Sequence, residues 1–378
     1  MKINHEKFTF VLDYLMGLGF DSETVLEAVG DKRIKRSYKI IMKSPDISRE
    51  EFLAVMQFTD KYKEDFPSFR IDDQFIRFEV RTMEKDKNII FFKVRFNNFR
   101  DVSGSTANEV TDREVWEECE CVLWLPDSYS DGGEPTQLIL ACHGAGAVVC
   151  EATSHTGDID YFAAECIKRG YAALDVCGSV PNGLSMGCPE HVFALYKAYL
   201  YAIRHYNLSP RVLVAGASMG GHTAMNFAHT FPGIVAALGL IYPRLNMDGV
   251  TVDGHYCIGT WDKLQPGKDG LNTRERIVDI YRFPTSQWCG ENTVGFNPYR
   301  TRSYIGADGK RAVIPPCPIK VWQGLDDTVV DPVMVREFVD SVRRSGSYIE
   351  AHFLDGVGHK TNDVIRVELA MWFDRFSR

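Results

Sequence analysis

A serine among small residues, in the sequence GASMGG at 216–221, carries the strongest chemical signal in the chain. It follows the apolar run 211–215 and precedes a stretch of helical character, which is the strand–turn–helix setting of a GxSxG nucleophile elbow. Such a turn would expose the Ser218 hydroxyl at a strand end, with the N–H of Met219 near the positive end of a helix. The pattern predicts a serine nucleophile. The alternative is a glycine-rich turn with an incidental serine.

Two later loops offer the partners that a serine nucleophile needs. A hydroxyl is a poor nucleophile at neutral pH, so it requires a base, which an acid in turn orients. The apolar run 319–322 leads into GLDD, which ends in Asp326 and Asp327, and a later run leads into DGVGH, which ends at His359. Open α/β sheets place their sites at the carboxyl edge of the strands, so we expect these residues near Ser218. Both aspartates remain candidates for the acid, and a surface loop histidine is the alternative for His359.

The loop HGAG at 143–146 is expected to supply a second backbone donor for the oxyanion of acyl transfer. Its small residues would let the backbone approach a substrate. The same stretch fails as a GxGxxG dinucleotide fingerprint, because Val149 stands where the third glycine belongs. The chain has neither a Walker motif nor HExxH, and its ten cysteines form no CxxC pair. We therefore predict no cofactor and no metal.

The elements that would position these residues alternate between strand and helix. Helical stretches separate most of the short apolar runs, which lie at 138–142, 172–176, 211–215, 234–241, 319–322 and 348–354. This alternation predicts an α/β protein whose mainly parallel sheet is covered by helices on both faces. The pair Asp331-Pro332 predicts a helix start, and Gly346 its end.

The chain divides into two predicted regions. Residues 1–118 contain helical stretches and a hairpin of alternating residues, 76–80 with 90–96, for which we expect one solvent-exposed face. This region could supply edge strands, a helical cover or a dimer surface. Residues 119–378 would form the catalytic region. Its segment 243–318 is too long for an ordinary loop and predicts an inserted subdomain.

Composition bounds the function further. The 378 residues are 45% hydrophobic and 25% charged, which excludes a mostly disordered or collagen-like chain. The net charge of −8 and the lack of a basic patch argue against nucleic acid or a membrane surface as partner. No apolar run is long enough to span a membrane, and the cysteine pattern predicts a reduced, cytoplasmic protein. The oligomeric state stays open.

Taken together, HGAG, GASMGG, GLDD and GVGH resemble the α/β-hydrolase superfamily over residues 119–378, in the order Ser, Asp, His. The chain is most similar to the group of prolyl-oligopeptidase-type catalytic domains and the related acetyl and feruloyl esterases. The stretch LWLPDSY before the first central strand and the second glycine after the elbow both fit that group. The resemblance implies the α/β-hydrolase fold, with the insertion 243–318 as a cap or lid.

The resemblance also implies a role for each site residue. Ser218 would be the nucleophile and His359 the base. Asp327 would be the acid, since the family's acid usually stands three residues after the glycine of this motif. The oxyanion donors would be the N–H groups of Met219 and Ala145.

Either glycine beside Ala145, Gly144 or Gly146, could take its place as donor. Asp175 matches an acidic position that usually has a structural role. Aromatic residues of the cap could line an acyl or sugar pocket, or form the cap's own core.

The function implied is that of a serine hydrolase that cleaves carboxylic esters, such as acetyl or other acyl esters of carbohydrates or small molecules, through an acyl-enzyme. One alternative is a serine peptidase acting on short peptides. A second is a non-catalytic protein that uses the hydrolase fold for binding. The expected partner is a small-molecule or sugar ester.

Overall fold

A mixed β-sheet forms the centre of the protein. The computed structural model describes residues 81–82, 88–97, 116–177, 185, 187, 189–231, 233–245, 250–257, 315 and 317–377. In chain order the strands are β1 Arg81–Thr82, β2 Ile89–Asn97, β3 Trp116–Trp124, β4 Thr136–Cys142, β5 Val149–Cys150, β6 His155–Thr156, β7 Ala172–Val176, β8 Leu208–Ala217, β9 Val235–Ile241, β10 Val250–Val252, β11 His255–Cys257, β12 Ile319–Gly324 and β13 Ile349–Leu354.

Nine of these strands join the central sheet, in the order β1-β2-β3-β7-β4-β8-β9-β12-β13. Six neighbouring strands of this order, β7, β4, β8, β9, β12 and β13, run parallel to one another. In the register, Ala141 lies beside Ala215 and Trp322 lies beside His352. The strands β1, β2 and β3 pair antiparallel and extend one edge. The predicted mainly parallel α/β sheet is therefore confirmed, and all parallel strand ends meet at one edge.

Helices cover both faces of this sheet. They are α1 Ala164–Lys168, which continues from a π-helical turn at Ile159–Ala163, α2 Pro189–His205, α3 Met219–Thr230, α4 Pro332–Arg344 and α5 Asp363–Asp374. One core cluster joins α2, α3 and α4 to one face, and a second joins α1 and α5 to the other. Every residue of β7 and of β9 is buried, which is why β9 appears in the sequence as a continuous apolar run and β7 as an apolar run interrupted only by Asp175.

The ends of α4 lie where the sequence placed them. Asp331 caps the helix, its Oδ1 accepting the N–H of Val333 at 2.9 Å, and Pro332 occupies the first turn. Gly346 follows the helix with a φ of 81°, a left-handed conformation that favours glycine. Both predicted signals are confirmed.

The hairpin predicted before residue 118 joins the same sheet. Its second arm is β2, which pairs with the short strand β1, while residues 76–80 and the helical predictions before them lie outside the described residues. Ile90 and Phe92 face one core cluster, as expected. The expectation of a solvent-exposed opposite face is wrong at Phe91, which is only 2% exposed and packs into the other cluster. Phe91 pairs in the register with Val122 of β3, which is buried in the same cluster, so the apolar core on this face continues under β2.

The described part of the insertion 243–318 is a small antiparallel hairpin formed by β10 and β11. Residues 258–314, and with them most of the aromatic residues of this insertion, lie outside the described residues. Within the described part of the chain, none of the helices has the length and apolar character needed to cross a membrane.

Candidate active site

Ser218 lies at a strained turn between β8 and α3. Its φ of 55° and ψ of −117° fall in a region that L-residues rarely adopt, a strain of about 1–3 kcal/mol. The turn is possible only because its neighbours are small. A Cβ on Gly216 would lie 2.1 Å from the Gly220 oxygen, and a Cβ on Gly220 would lie 1.9 Å from the Cys142 oxygen. The Ser218 N–H donates to the Ile241 carbonyl at 2.9 Å, which ties the turn to the neighbouring strand.

Three side chains from three strand ends form one hydrogen-bonded chain. The Nε2 of His359 lies 2.9 Å from the Oγ of Ser218, and its Nδ1 lies 2.8 Å from the Oδ2 of Asp327. The Asp327 side chain has no exposed surface, whereas Asp326 is exposed to solvent. The structure thus brings together Ser218, His359 and Asp327, and it leaves Asp326 outside this chain.

The loops that carry Asp327 and His359 meet because Gly324 has no side chain. A Cβ at Gly324 would lie 2.1 Å from the Val357 carbonyl oxygen. That same oxygen accepts the N–H of Asp326 at 3.0 Å, and the Leu325 N–H donates to Leu354 at 2.9 Å. These contacts set the acid beside the imidazole.

The Asp327 carboxylate accepts four hydrogen bonds. Its Oδ1 accepts the N–H groups of Val329 and Val330 at 2.8 and 2.9 Å, and its Oδ2 accepts Gln323 Nε2 at 3.1 Å in addition to His359. Burial alone would raise the pKa of this carboxyl. The hydrogen bonds from His359 and the two backbone N–H groups outweigh burial and hold the pKa below its usual value. Asp327 is therefore charged at neutral pH.

A second layer of contacts holds the His359 ring. The ring of Tyr242 packs against it with the centroids 4.4 Å apart. The Tyr242 hydroxyl lies 2.9 Å from Oγ1 of Thr361, whose N–H donates to the Tyr161 hydroxyl at 2.8 Å. With 22% of its side chain exposed, the His359 imidazole is fixed in place yet open to a ligand.

The loop predicted to supply an oxyanion donor lies directly against the elbow. A Cβ on Gly144 would be 3.8 Å from the Cβ of Ser218. The Gly144 N–H donates to Oδ2 of Asp158 at 2.7 Å, so this N–H is already engaged. Ala145 and Gly146 form the exposed tip of the loop, and Met219 opens α3 on the other side of the serine. No motif marked Asp158, and sequence reasoning missed it.

A buried ion pair lies beneath this loop. His143 Nδ1 is 3.1 Å from Oδ1 of Asp175, and neither residue is exposed. Burial alone would lower the pKa of His143, but the Asp175 carboxylate raises it above its usual value. Burial also raises the pKa of Asp175, although His143 opposes the rise. The pair anchors the start of the loop, in line with the structural role expected for Asp175.

Two groups of side chains have the donor atoms that could hold a metal ion: His143, Asp175 and His191, and separately His255, Cys257 and Asp331. In the first group the Nε2 atoms of both histidines are buried and lack a hydrogen-bond partner in the described part of the chain. In the second, His255 Nε2 lies 2.7 Å from Oδ2 of Asp331. A cavity of about 430 Å³ adjoins the second group and reaches Asp327.

Comparison with known proteins supports the fold alone. No family model matches the chain, and no curated protein matches it. Among solved structures, lipase A of Candida antarctica is 14% identical, covers 79% of this chain and 80% of its own, and has a TM-score of 0.52, with the same values in its closed state. An S-formylglutathione hydrolase of Agrobacterium tumefaciens is 11% identical, covering 80% of this chain and 99% of its own, at a TM-score of 0.48. The likeness to the lipase confirms the fold that the sequence resemblance implied.

Proposed function

We propose that this chain, which has the α/β-hydrolase fold, is a serine hydrolase that cleaves carboxylic esters through an acyl-enzyme on Ser218. The observation that carries the proposal is the continuous hydrogen-bonded chain from Ser218 Oγ through the His359 imidazole to the Asp327 carboxylate. A serine in such a chain can lose its proton to the imidazole as it attacks, and the carboxylate stabilises the imidazolium that results.

In the first half-reaction, Ser218 Oγ attacks the ester carbonyl while its proton passes to His359 Nε2. The tetrahedral oxyanion accepts hydrogen bonds from the backbone N–H groups of Met219 and Ala145, with Gly146 as the alternative to Ala145. When the intermediate collapses, the bond to the alcohol oxygen breaks. His359 returns the proton to the departing alcohol, and the acyl group stays on Ser218.

In the second half-reaction, a water takes the place of the alcohol. His359 accepts a proton from the water as it attacks the acyl carbonyl, and a second oxyanion forms in the same position. Collapse breaks the bond to Ser218 Oγ, which regains a proton from His359 and releases a carboxylic acid. Throughout, Asp327 holds the imidazole with Nδ1 towards the carboxylate and Nε2 towards the serine.

An ester is preferred to an amide on chemical grounds. Cleavage of a peptide needs firmer protonation of the leaving amine and usually a site for a charged terminus. The sequence of residues 1–118 offers no motif for capturing an amino terminus. We propose a small-molecule or sugar ester as the substrate and the cytoplasm as the location. The eight described cysteines are all free thiols, and six of them are buried, which agrees with a reducing compartment.

The test is hydrolysis of p-nitrophenyl acetate, compared with aminoacyl p-nitroanilides, together with labelling by a fluorophosphonate probe. We expect ester hydrolysis and a single label on Ser218. Ser218→Ala should lose both, with kcat falling by about 10⁴-fold or more. Ser130→Ala changes an exposed loop serine and is the matched control. A Ser218→Ala protein that keeps the full rate overturns the proposal, and faster cleavage of the anilides would favour the peptidase.

A further inference from the structure

Arg244 extends from the serine to the loop of the acid. It lies three residues after β9, and its backbone N–H donates to the Ser218 carbonyl at 2.8 Å. Its guanidinium Nη2 donates to the Val329 carbonyl at 3.1 Å, two residues after Asp327. The side chain therefore runs beside the hydrogen-bonded chain of Ser218, His359 and Asp327, and no sequence motif marked it.

The charge of Arg244 is buried without a partner carboxylate. The residue is 9% exposed, and among the described residues no carboxylate forms an ion pair with it. Of its five N–H donors, the Val329 carbonyl takes one. The carboxylate of Asp327 interacts electrostatically with the Arg244 guanidinium. That carboxylate already accepts four hydrogen bonds from other residues. Burial lowers the pKa of Arg244 to about 10, and Asp327 offsets only part of this effect.

In the described part of the chain, no nitrogen of Arg244 is both shielded from solvent and without a hydrogen-bond partner, so the donors that Val329 does not use are open to a ligand. A buried cation is ordinarily paired with a carboxylate, and a guanidinium binds a carboxylate through two parallel hydrogen bonds. The protein carries a net charge of −8, so its overall field opposes the approach of anions. Any preference for an anionic substrate must then come from a local group such as Arg244.

We infer that Arg244 is a substrate-binding residue that selects esters carrying a carboxylate, through bidentate hydrogen bonds from its guanidinium. This inference rests on the proposed function, because it deepens the substrate class of the same site. The carboxylate could stand on the acyl or on the alcohol part of the ester, and both positions fit a residue beside the nucleophile.

Two matched pairs of substrates test the inference. The first pair compares mono-p-nitrophenyl glutarate with p-nitrophenyl valerate, and its charge is on the acyl part. The second pair compares 4-acetoxybenzoate with its ethyl ester, and its charge is on the alcohol part. For at least one pair we expect the wild-type protein to show a kcat/KM about tenfold or more higher for the charged ester, through a lower KM. Arg244→Gln should abolish this preference. Arg244→Lys should keep only part of it, since an ammonium lacks the planar fork.

Arg343→Gln is the matched control, because Arg343 is 55% exposed on α4 and pairs only weakly with Asp340. It should leave the preference unchanged. Equal or poorer use of both charged esters by the wild-type protein, or a preference that survives in a folded Arg244→Gln protein, overturns the inference.

A binding measurement separates this inference from the proposed function. In the Ser218→Ala protein we expect glutarate to bind by calorimetry and glutaramide not to bind, and Arg244→Lys to weaken glutarate binding even if Arg244→Gln fails to fold. Hydrolysis of neutral esters without glutarate binding would contradict the role of Arg244 alone. Glutarate binding in a protein that hydrolyses no ester and takes no fluorophosphonate label would contradict the proposed function alone.

Discussion

The backbone N–H of Gly144 donates a 2.7 Å hydrogen bond to Oδ2 of Asp158, and this bond holds the loop HGAG against the elbow. Asp158→Ala should release the loop and displace the proposed Ala145 donor. We expect kcat for p-nitrophenyl acetate to fall by about 10-fold to 100-fold with little change in KM, since complete loss of a donor costs about 10²–10³.

Asp158→Asn retains an oxygen that can accept the Gly144 N–H, so it should recover most of the rate. Asp160→Ala is the control, because Asp160 is an exposed carboxylate two residues away. If Asp158→Ala proves as active as Asp160→Ala while both have wild-type melting temperatures, the loop does not depend on Asp158.

The lowered pKa of Asp327 predicts an acid-sensitive contribution to stability. A carboxyl whose pKa is lower in the folded state adds stability that is fully present above its unfolded value of about 3.9, and that is lost as pH falls through the folded value. Asp327→Asn lacks this contribution. The difference in free energy of unfolding between the wild-type protein and Asp327→Asn should be largest above about pH 4 and should shrink below that pH. Urea denaturation at a series of pH values measures the gap, and a gap that widens on acidification would contradict the assignment.

Gly324 allows the loops of Asp327 and His359 to touch, so Gly324→Ala should separate them. The added Cβ would meet the Val357 carbonyl at 2.1 Å, and backbone must move to relieve it. We expect a loss of about 2 kcal/mol or more in unfolding free energy, together with a lower kcat. Gly132→Ala is the control, since a Cβ there meets nothing within 4 Å. If Gly324→Ala and Gly132→Ala are equally stable in urea, the backbone around Val357 moves away from the added Cβ at no cost.

Much of this fold could be predicted because parallel strands are buried on both faces. The run 235–241 is buried at every position, so it stands out from the surrounding helices as a continuous apolar segment. Strand ends then predict a shared sheet edge, and Ser218 and His359, 141 residues apart, do meet there. The placement of β3 beside β7 instead of β4 could not be predicted, because strand order depends on tertiary packing.

Other features of the site had no local signal. The residues alone left Asp326 and Asp327 as equal candidates, and only the family resemblance favoured Asp327. In the structure the difference between them is one of burial, which depends on the neighbouring loop. Asp158 and Arg244 belong to no motif. Their partners, Gly144 and Val329, are 14 and 85 residues away along the chain, so only the folded structure associates them.

The buried pair of His143 and Asp175 predicts a pH dependence opposite to that of Asp327. Asp175 raises the pKa of His143, so the pair adds stability that is fully present below the unfolded histidine value of about 6.5 and is lost as pH rises through the folded value.

Asp175→Ala leaves a buried imidazole without its partner and should cost about 3–5 kcal/mol. Asp175→Asn, which keeps an acceptor, should cost less, and its deficit against the wild-type protein should be larger at pH 6 than at pH 9. Asp355→Asn, at an exposed loop position, should show no deficit at either pH. A deficit of Asp175→Asn that is the same at pH 6 and at pH 9 in urea denaturation would show that His143 is neutral in the folded protein over this range and that an ordinary hydrogen bond joins the two residues.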